Sequence, residues 1–379
     1  MELRNQKIRQ QNRDLAIMLM VPTAILAKII YIYFLPDKYF FDSWRVVSMM
    51  TGDNFMVAWS GYQDVVDFHS SINILHLTNI NQFSIWYGLI MTPVMMFIVS
   101  RVKEMELREV LFTLMATGVL NIYVFNINKE MIQILYFLAI YIVISFSIKN
   151  TFIKVLGCSV IYYIESINFR SYYIIMALMT VLVYFIFRWL RKRKWIRRRH
   201  IVITLLLCFI GVFVFFYASQ FVAYEDYMEA LNVRDGSTAT IDAGGGATSA
   251  IYNPIEVNSN LGIFMFDYVV NAVRMMIPIE LLFKSPGYAP FFVYQIFILF
   301  YLFRTMRNLK NIDKEILVAL SVFVAFFFGS VVFEPDFGSW VRHEATTFPI
   351  LQLMAFKSNV YENGPEINRS EKRIKAYEI

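Results

Sequence analysis

Sixteen residues near the C-terminal end, Glu334-Pro-Asp-Phe-Gly-Ser-Trp-Val-Arg-His-Glu-Ala-Thr-Thr-Phe-Pro349, hold three acids, an arginine, a histidine, two prolines and a glycine. They lie between two apolar runs, Ile316–Phe333 and Ile350–Phe356. Charge placed beside hydrocarbon costs roughly 2.5–3.5 kcal/mol per group near a bilayer centre, so it is kept where it has a task. Arg342 can fork two donors onto paired oxygens. His343 can gain or lose a proton near neutral pH, although hydrogen bonding or capping is the commoner use of a single histidine. Asp336 and Glu344 are candidate proton acceptors.

Two further arginines sit in similar company. Arg170 lies in Asn168-Phe-Arg-Ser-Tyr-Tyr173, and Arg274 precedes Met275 to Pro278. Any one of Arg170, Arg274 and Arg342 is more often paired with a carboxylate or a lipid headgroup than with a ligand. Three together point to an anionic, lipid-linked ligand. Acids predicted near the same face are Asp42, Glu165, Asp267, Glu280, Glu334, Asp336 and Glu344. Glu165 stands out because it lies about a turn inside an apolar run, beside Tyr162 and Tyr163. A carboxylate in a low-dielectric site can serve as a general base. It can equally be a structural partner of Arg170, although five residues is an imperfect helical spacing for a pair.

Other chemistries find little support. Glu334-Pro-Asp336 could hold a divalent cation, but that spacing alone does not define a site. His69 and His76 have no third ligand in view, so a metal centre is not expected. There is no nucleotide-binding glycine motif and no nucleophile elbow, and no cofactor is expected. Cys158 and Cys208 fall within apolar runs and read as small core residues.

The elements that must position these residues are spans. The chain has 379 residues, is 58% hydrophobic and only 17% charged, against roughly 25% charged in soluble domains. Its mean hydropathy is +0.52. Several runs reach the roughly 18–25 residues that cross a bilayer as helix. The expected fold is all-α, a single polytopic integral membrane domain over 1–379. The net charge of +6 is gathered in short basic clusters between apolar runs, which is the positive-inside pattern and not a nucleic-acid surface.

About ten transmembrane helices are expected: 15–35, 83–100, 110–125, 131–148, 151–167, 173–187, 201–219, 289–303, 315–333 and 346–356. Both termini then lie in the cytoplasm, with a polar tail at 357–379. The basic groups at 101–108, 188–199 and 304–314 fall on that same side. The densest of them, Arg188 to Arg199, should also meet anionic lipid headgroups. Two larger external loops are expected, about 36–82 and 220–288. The first carries five acids and an interfacial helix near Phe55–Phe68. The second carries Gly244-Gly-Gly246 and is expected to have a mobile centre.

Within the second loop, Leu261–Phe283 is apolar enough to cross. Counting it as a span would put Arg304, Arg307 and Lys310 outside and place Asp267, Arg274 and Glu280 in hydrocarbon. Asp267, Asn271 and Arg274 share a helical face. An external amphipathic or re-entrant helix over 261–283, bent or ended by Pro278, is the expected alternative.

This layout, with Asn168-Phe-Arg-Ser-Tyr-Tyr173, Arg274-Met-Met-Ile-Pro-Ile-Glu-Leu-Leu-Phe-Lys-Ser-Pro286 and Phe333-Glu-Pro-Asp-Phe-Gly-Ser-Trp-Val-Arg-His343, resembles the Wzy-type polymerases of bacterial capsule and exopolysaccharide. The resemblance covers most of the chain in layout and these three segments in motif. It implies transfer of an undecaprenyl-diphosphate-linked oligosaccharide onto another lipid-linked repeat unit, at the outer face of the bacterial plasma membrane. Arg170, Arg274 and Arg342 would then stabilise the departing diphosphate. Glu165, Asp336 and Glu344 are the alternatives for the base that activates the attacking hydroxyl. Membrane lipids and other polysaccharide export proteins are the partners implied. Two other readings compete. In a membrane-embedded polyprenyl-phosphate-sugar glycosyltransferase, Asp42 in Phe41-Asp-Ser-Trp-Arg45 would be the base. A lipid-linked oligosaccharide flippase would show internal repeats, and none is seen.

Overall fold

The computed structural model describes residues 2–53, 60–192, 200–243 and 249–357. Among them sixteen α-helices follow one another: α1 (Glu2–Tyr33), α2 (Phe41–Thr51), α3 (Gln63–Ser71), α4 (Ile80–Ser100), α5 (Leu107–Val119), α6 (Lys129–Ser145), α7 (Thr151–Asn168), α8 (Tyr173–Lys192), α9 (His200–Val222), α10 (Tyr224–Ala243), α11 (Leu261–Met276), α12 (Ile279–Lys284), α13 (Ala289–Arg307), α14 (Lys314–Phe333), α15 (Phe337–Thr346) and α16 (Phe348–Lys357). The described residues hold no strand, only an isolated antiparallel bridge between Ala250 and Asp336. The chain is an all-α, multi-pass membrane protein. An apolar chain in lipid must satisfy its backbone internally, and helices do so within each segment.

Seven of these helices are long and apolar enough to cross a bilayer among the described residues: α1, α4, α5 with its extension to Val124, α8, α9, α13 and α14. Three more of the expected spans correspond to α6, with 17 residues, α7, with 18 that include Lys154 and Glu165, and α16, with ten. These three do not meet the same length and hydropathy.

The core is built around α14. Its residues from Ile316 to Val332 are buried continuously, as expected of a helix that is apolar on all sides. It packs against α8, α16 and α7. Gly329 allows the closest approach, since a Cβ there would lie 2.7 Å from Met176 Cγ on α8. The basic segments meet at one end of the bundle. Arg9 lies 3.8 Å from Glu104, Arg191 donates to the carbonyls of Lys310 and Ile312 at 3.3 and 3.2 Å, and Lys154 lies 3.6 Å from Glu315.

Three segments differ from the sequence expectation or refine it. The second large loop is helical over Tyr224–Ala243, where Glu225 and Asp226 occupy the first turn of α10 and complement the helix dipole. The polar residues of that stretch mask a helix docked on α9 and α14. Gly244–Gly246 lie outside the described residues, as does the start of the expected 55–68 helix; α3 begins at Gln63. The 261–283 segment is two helices. α11 ends at Met276, just before Pro278, and its 16 residues give about 24 Å, short of a crossing. Its polar side turns inward, with Asp267 and Asn271 each 1% exposed, while Phe266, Val269 and Val273 face out. That is the reverse of a helix lying with its polar side in water, and it suits apolar surroundings.

The bend that leads to α6 has its own device. After α5 the chain makes a π-helical turn, Leu120–Val124. Half-buried Lys28 of α1 donates to the carbonyls of Asn121 and Phe125 at 2.6 and 2.9 Å, and to Ser84 at 2.9 Å. It thereby satisfies carbonyl groups that the widened turn leaves open. Gly88 makes room for it, because a Cβ there would stand 2.6 Å from Lys28 Cε.

Candidate functional site

At the end of the bundle opposite the basic segments, four elements bring charged side chains into contact. Glu130 comes from the first turn of α6, Arg170 from the α7–α8 turn, Glu334 from the end of α14, and Arg342 and His343 from α15.

Each is held by local structure. The turn before α6 is pinned by asparagines. Asn126 donates to the Ile122 carbonyl at 2.6 Å, Asn128 donates to that of Tyr123 at 2.7 Å, and the Asn128 side chain caps α6 by accepting from Met131 N at 3.0 Å. Buried His69 adds a ring nitrogen 3.0 Å from the Asn128 carbonyl. The Glu334 segment is fixed from α10, where buried Arg234 donates to the carbonyls of Glu334 and Val331. Strand-like pairing, Ile251 N to Pro335 O at 2.8 Å and Phe337 N to Ser249 O at 2.9 Å, ties it to the 249–251 segment. α15 is anchored by Trp340, fully buried with its ring 6.0 Å from that of Phe326.

His343 is the hub. Its Nδ1 is hydrogen-bonded to Glu334. Its Nε2 lies 3.2 Å from Glu130 Oε1 and 3.1 Å from Arg170 Nη2. Arg342 Nε is 3.4 Å from the same Glu130 oxygen, and Arg342 Nη2 is 3.9 Å from Asp42. Asp42 also accepts from the Tyr62 hydroxyl, and Lys129 sits 3.6 Å above the Tyr62 ring. Arg170 donates to Tyr172 OH at 2.7 Å, and the Tyr172 ring stacks on Phe333 at 4.2 Å. Glu130 and Glu334 are 2% and 3% exposed. Burial works against a charged imidazole, but the flanking Glu334 and Glu130 outweigh it and hold His343 above its usual pKa.

The predicted site residues divide. Arg170, Arg342 and Asp42 belong to this cluster. Glu165 is one buried turn below Arg170, in α7, with neither carboxylate oxygen hydrogen-bonded. Asp336 caps α15, its Oδ1 accepting from Ser339 N at 2.9 Å and from Ser249 Oγ at 3.3 Å, so one of its two oxygens is engaged by the local fold. Glu344 points to the other side of α15. It accepts from Gln295 at 3.1 Å, its second oxygen has no partner, and burial pushes its carboxyl up to about 8. Arg274 stands apart from Arg170 and Arg342. It grips Glu280 at 2.9 Å, the Tyr252 carbonyl at 2.6 Å and Asn271 at 2.9 Å, an arrangement that fills its donors.

Two members of the cluster and its supports, Glu130 and Arg234, escape a reading of the sequence. Glu130 follows Asn126-Ile-Asn-Lys, and an acid in a first helical turn reads as a dipole complement. Arg234 is the lone base of an acidic stretch and gives no periodic signal. No group of three or more histidine, cysteine or acidic residues suited to a metal occurs among the described residues.

Chemically, the cluster offers two guanidiniums and an imidazole, neutralised by buried carboxylates. Such cations can exchange those partners for phosphate oxygens without moving far. Comparison with protein-family models, curated proteins and solved structures finds no match for this chain.

Proposed function

We propose that the chain is a polysaccharide polymerase of the plasma membrane, a membrane glycosyltransferase that moves a polyprenyl-diphosphate-linked glycan onto another lipid-linked repeat unit. One observation carries the reading. Arg170 and Arg342, from separate elements, converge on one histidine and one buried glutamate at the end of the bundle away from the basic segments. By the positive-inside rule that end faces outward, with both termini in the cytoplasm and about ten spans. Cleaving a sugar–phosphate bond leaves charge on the diphosphate, and preorganised cations lower that barrier. Glu165 supplies the base in this reading: it is buried, within the influence of the Arg170 charge five residues on, and beside Tyr173. Arg274 serves to hold α11 and α12 together.

Glycan profiling of a strain lacking the gene tests the reading. A ladder of chain lengths should collapse to single repeats at the cell surface. An unchanged ladder, or repeats trapped on the inner leaflet, overturns it.

A second reading draws on Asp42, which joins the cluster through Arg342 and Tyr62. In a polyprenyl-phosphate-sugar glycosyltransferase Asp42 would be the base. Loss of activity in Asp42→Asn with tolerance of Arg342→Ala would favour that reading over polymerisation.

A further inference from the structure

His343 Nε2 faces two neighbours that make opposite demands. Arg170 Nη2, at 3.1 Å, can only donate. Glu130 Oε1, at 3.2 Å, can only accept while ionised. An imidazole nitrogen carries either a lone pair or a proton in that direction, so it serves one neighbour at a time. With Nδ1 donating to Glu334, the ring has two arrangements. It is a neutral tautomer that accepts from Arg170, or an imidazolium that donates to Glu130.

We infer that His343 takes up one proton from water when a diphosphate occupies the Arg170–Arg342 pair. The inference rests on the proposed function and deepens it. A diphosphate draws both guanidiniums toward its oxygens. Arg170 then no longer donates to Nε2, and Arg342 no longer screens Glu130. The Nε2 lone pair is free to bind a proton, and the imidazolium so formed replaces the lost cation at Glu130. No other bond is made or broken, and bulk water supplies the proton. The charge that arrives with the ligand is thus partly neutralised from within the cluster.

The groups facing this histidine agree with that direction. Glu130 comes from α6, Arg170 from the α7–α8 turn and Glu334 from the end of α14, while one contact further out Arg342 of α15 stands against Glu130, Tyr172 against Arg170 and Lys129 against the Tyr62 ring. Tyr123 approaches Arg342 from the π-helical turn. Removing the two guanidiniums from the balance leaves both carboxylates, and both favour the imidazolium.

The test uses the full chain in detergent micelles with farnesyl diphosphate as probe. Titration calorimetry in two buffers of different ionisation enthalpy counts protons between about pH 7 and 9, above the last phosphate pKa of about 6. Net uptake is expected, approaching one proton at its maximum, with affinity falling by up to tenfold per pH unit on the alkaline side. His343→Gln should abolish the uptake. ¹⁵N-imidazole spectra of the wild-type chain provide a readout that does not depend on the folding of that variant: one of its four histidines should become doubly protonated on adding the probe. Binding without uptake and without that change overturns the inference and leaves the proposed function standing. Absence of binding overturns both.

Discussion

Arg234 is fastened to the backbone of Glu334, one hundred residues later, by a guanidinium-to-carbonyl hydrogen bond, and its other arm holds Val331. The bond fixes where α14 ends and so aims the Glu334 carboxylate at His343. Arg234→Met would leave two buried carbonyls without donors. Hydrogen bonds from charged groups contribute about 1.5–3 kcal/mol, so a loss of that size is expected in thermal or denaturant unfolding of the purified protein. Arg234→Lys, with a single point of contact, should recover only part of it.

Arg342 and Glu130 should separate by kinetics. Arg342→Ala removes a cation from the proposed diphosphate site, and losses of about 10²–10³-fold in polymer formation are expected of such a donor. Glu130→Gln keeps the shape and removes the negative charge that holds His343. Its effect should appear in the pH dependence of activity as well as in the rate. Chain-length profiles at several pH values check both, and a wild-type profile from either variant would exclude that residue from the proposed site.

Arg274 is expected to behave differently. Its pair with Glu280 leaves the two side chains 23% and 34% exposed, and ion pairs of that exposure contribute about 0.2–1 kcal/mol. Arg274→Met should therefore lower stability modestly and leave activity per folded molecule nearly intact. A double-mutant cycle with Glu280→Gln measures the coupling, and a catalytic loss like that of Arg342→Ala would return Arg274 to the diphosphate site.

Glu344 gives stability a pH dependence. Its carboxyl is raised from 4.5 to about 8 by burial, so the folded state holds a proton that the unfolded chain releases. Stability is then greatest below the unfolded pKa and declines as pH rises from about 4.5 to about 8, by up to about 1.4 kcal/mol per unit. His343, also raised, acts in the same direction above its unfolded value. Melting temperatures between pH 5 and about 9 should fall for the wild type, and Glu344→Gln should flatten the slope. An unchanged slope in Glu344→Gln would remove this carboxyl as its source.

The spans were legible because apolar length is a direct signal: α14 and α8 could be read from composition alone. Pro278 marked the break within 261–283, which is two helices, one ending at Met276 and the next starting at Ile279. The site was legible only in part. Arg170 and Arg342 announced themselves by lying at span ends among aromatics, but nothing local distinguishes Arg274 from them. Their difference lies in whether an acid six residues on, Glu280, can turn back to meet the guanidinium. Glu130 and Arg234 act through partners more than ninety residues away, a relationship that no spacing rule encodes. α10 was hidden because helical periodicity is judged by apolar residues, and this helix carries few.

The π-helical turn at Leu120–Val124 ties Lys28 to residue counting in a distant segment. Such a turn holds one residue more than an α-helical turn would in the same place. Removing a single residue from 120–124 would restore ordinary winding with little change in the direction of the exit, and would close the carbonyls that the widened turn leaves open. The Lys28 ammonium would then lose the acceptors it now gathers at Asn121 and Phe125. The extra residue and the lysine are thus one device, in a segment that carries none of the charges of the cluster, so a family tree of this protein should show the two gained or lost together.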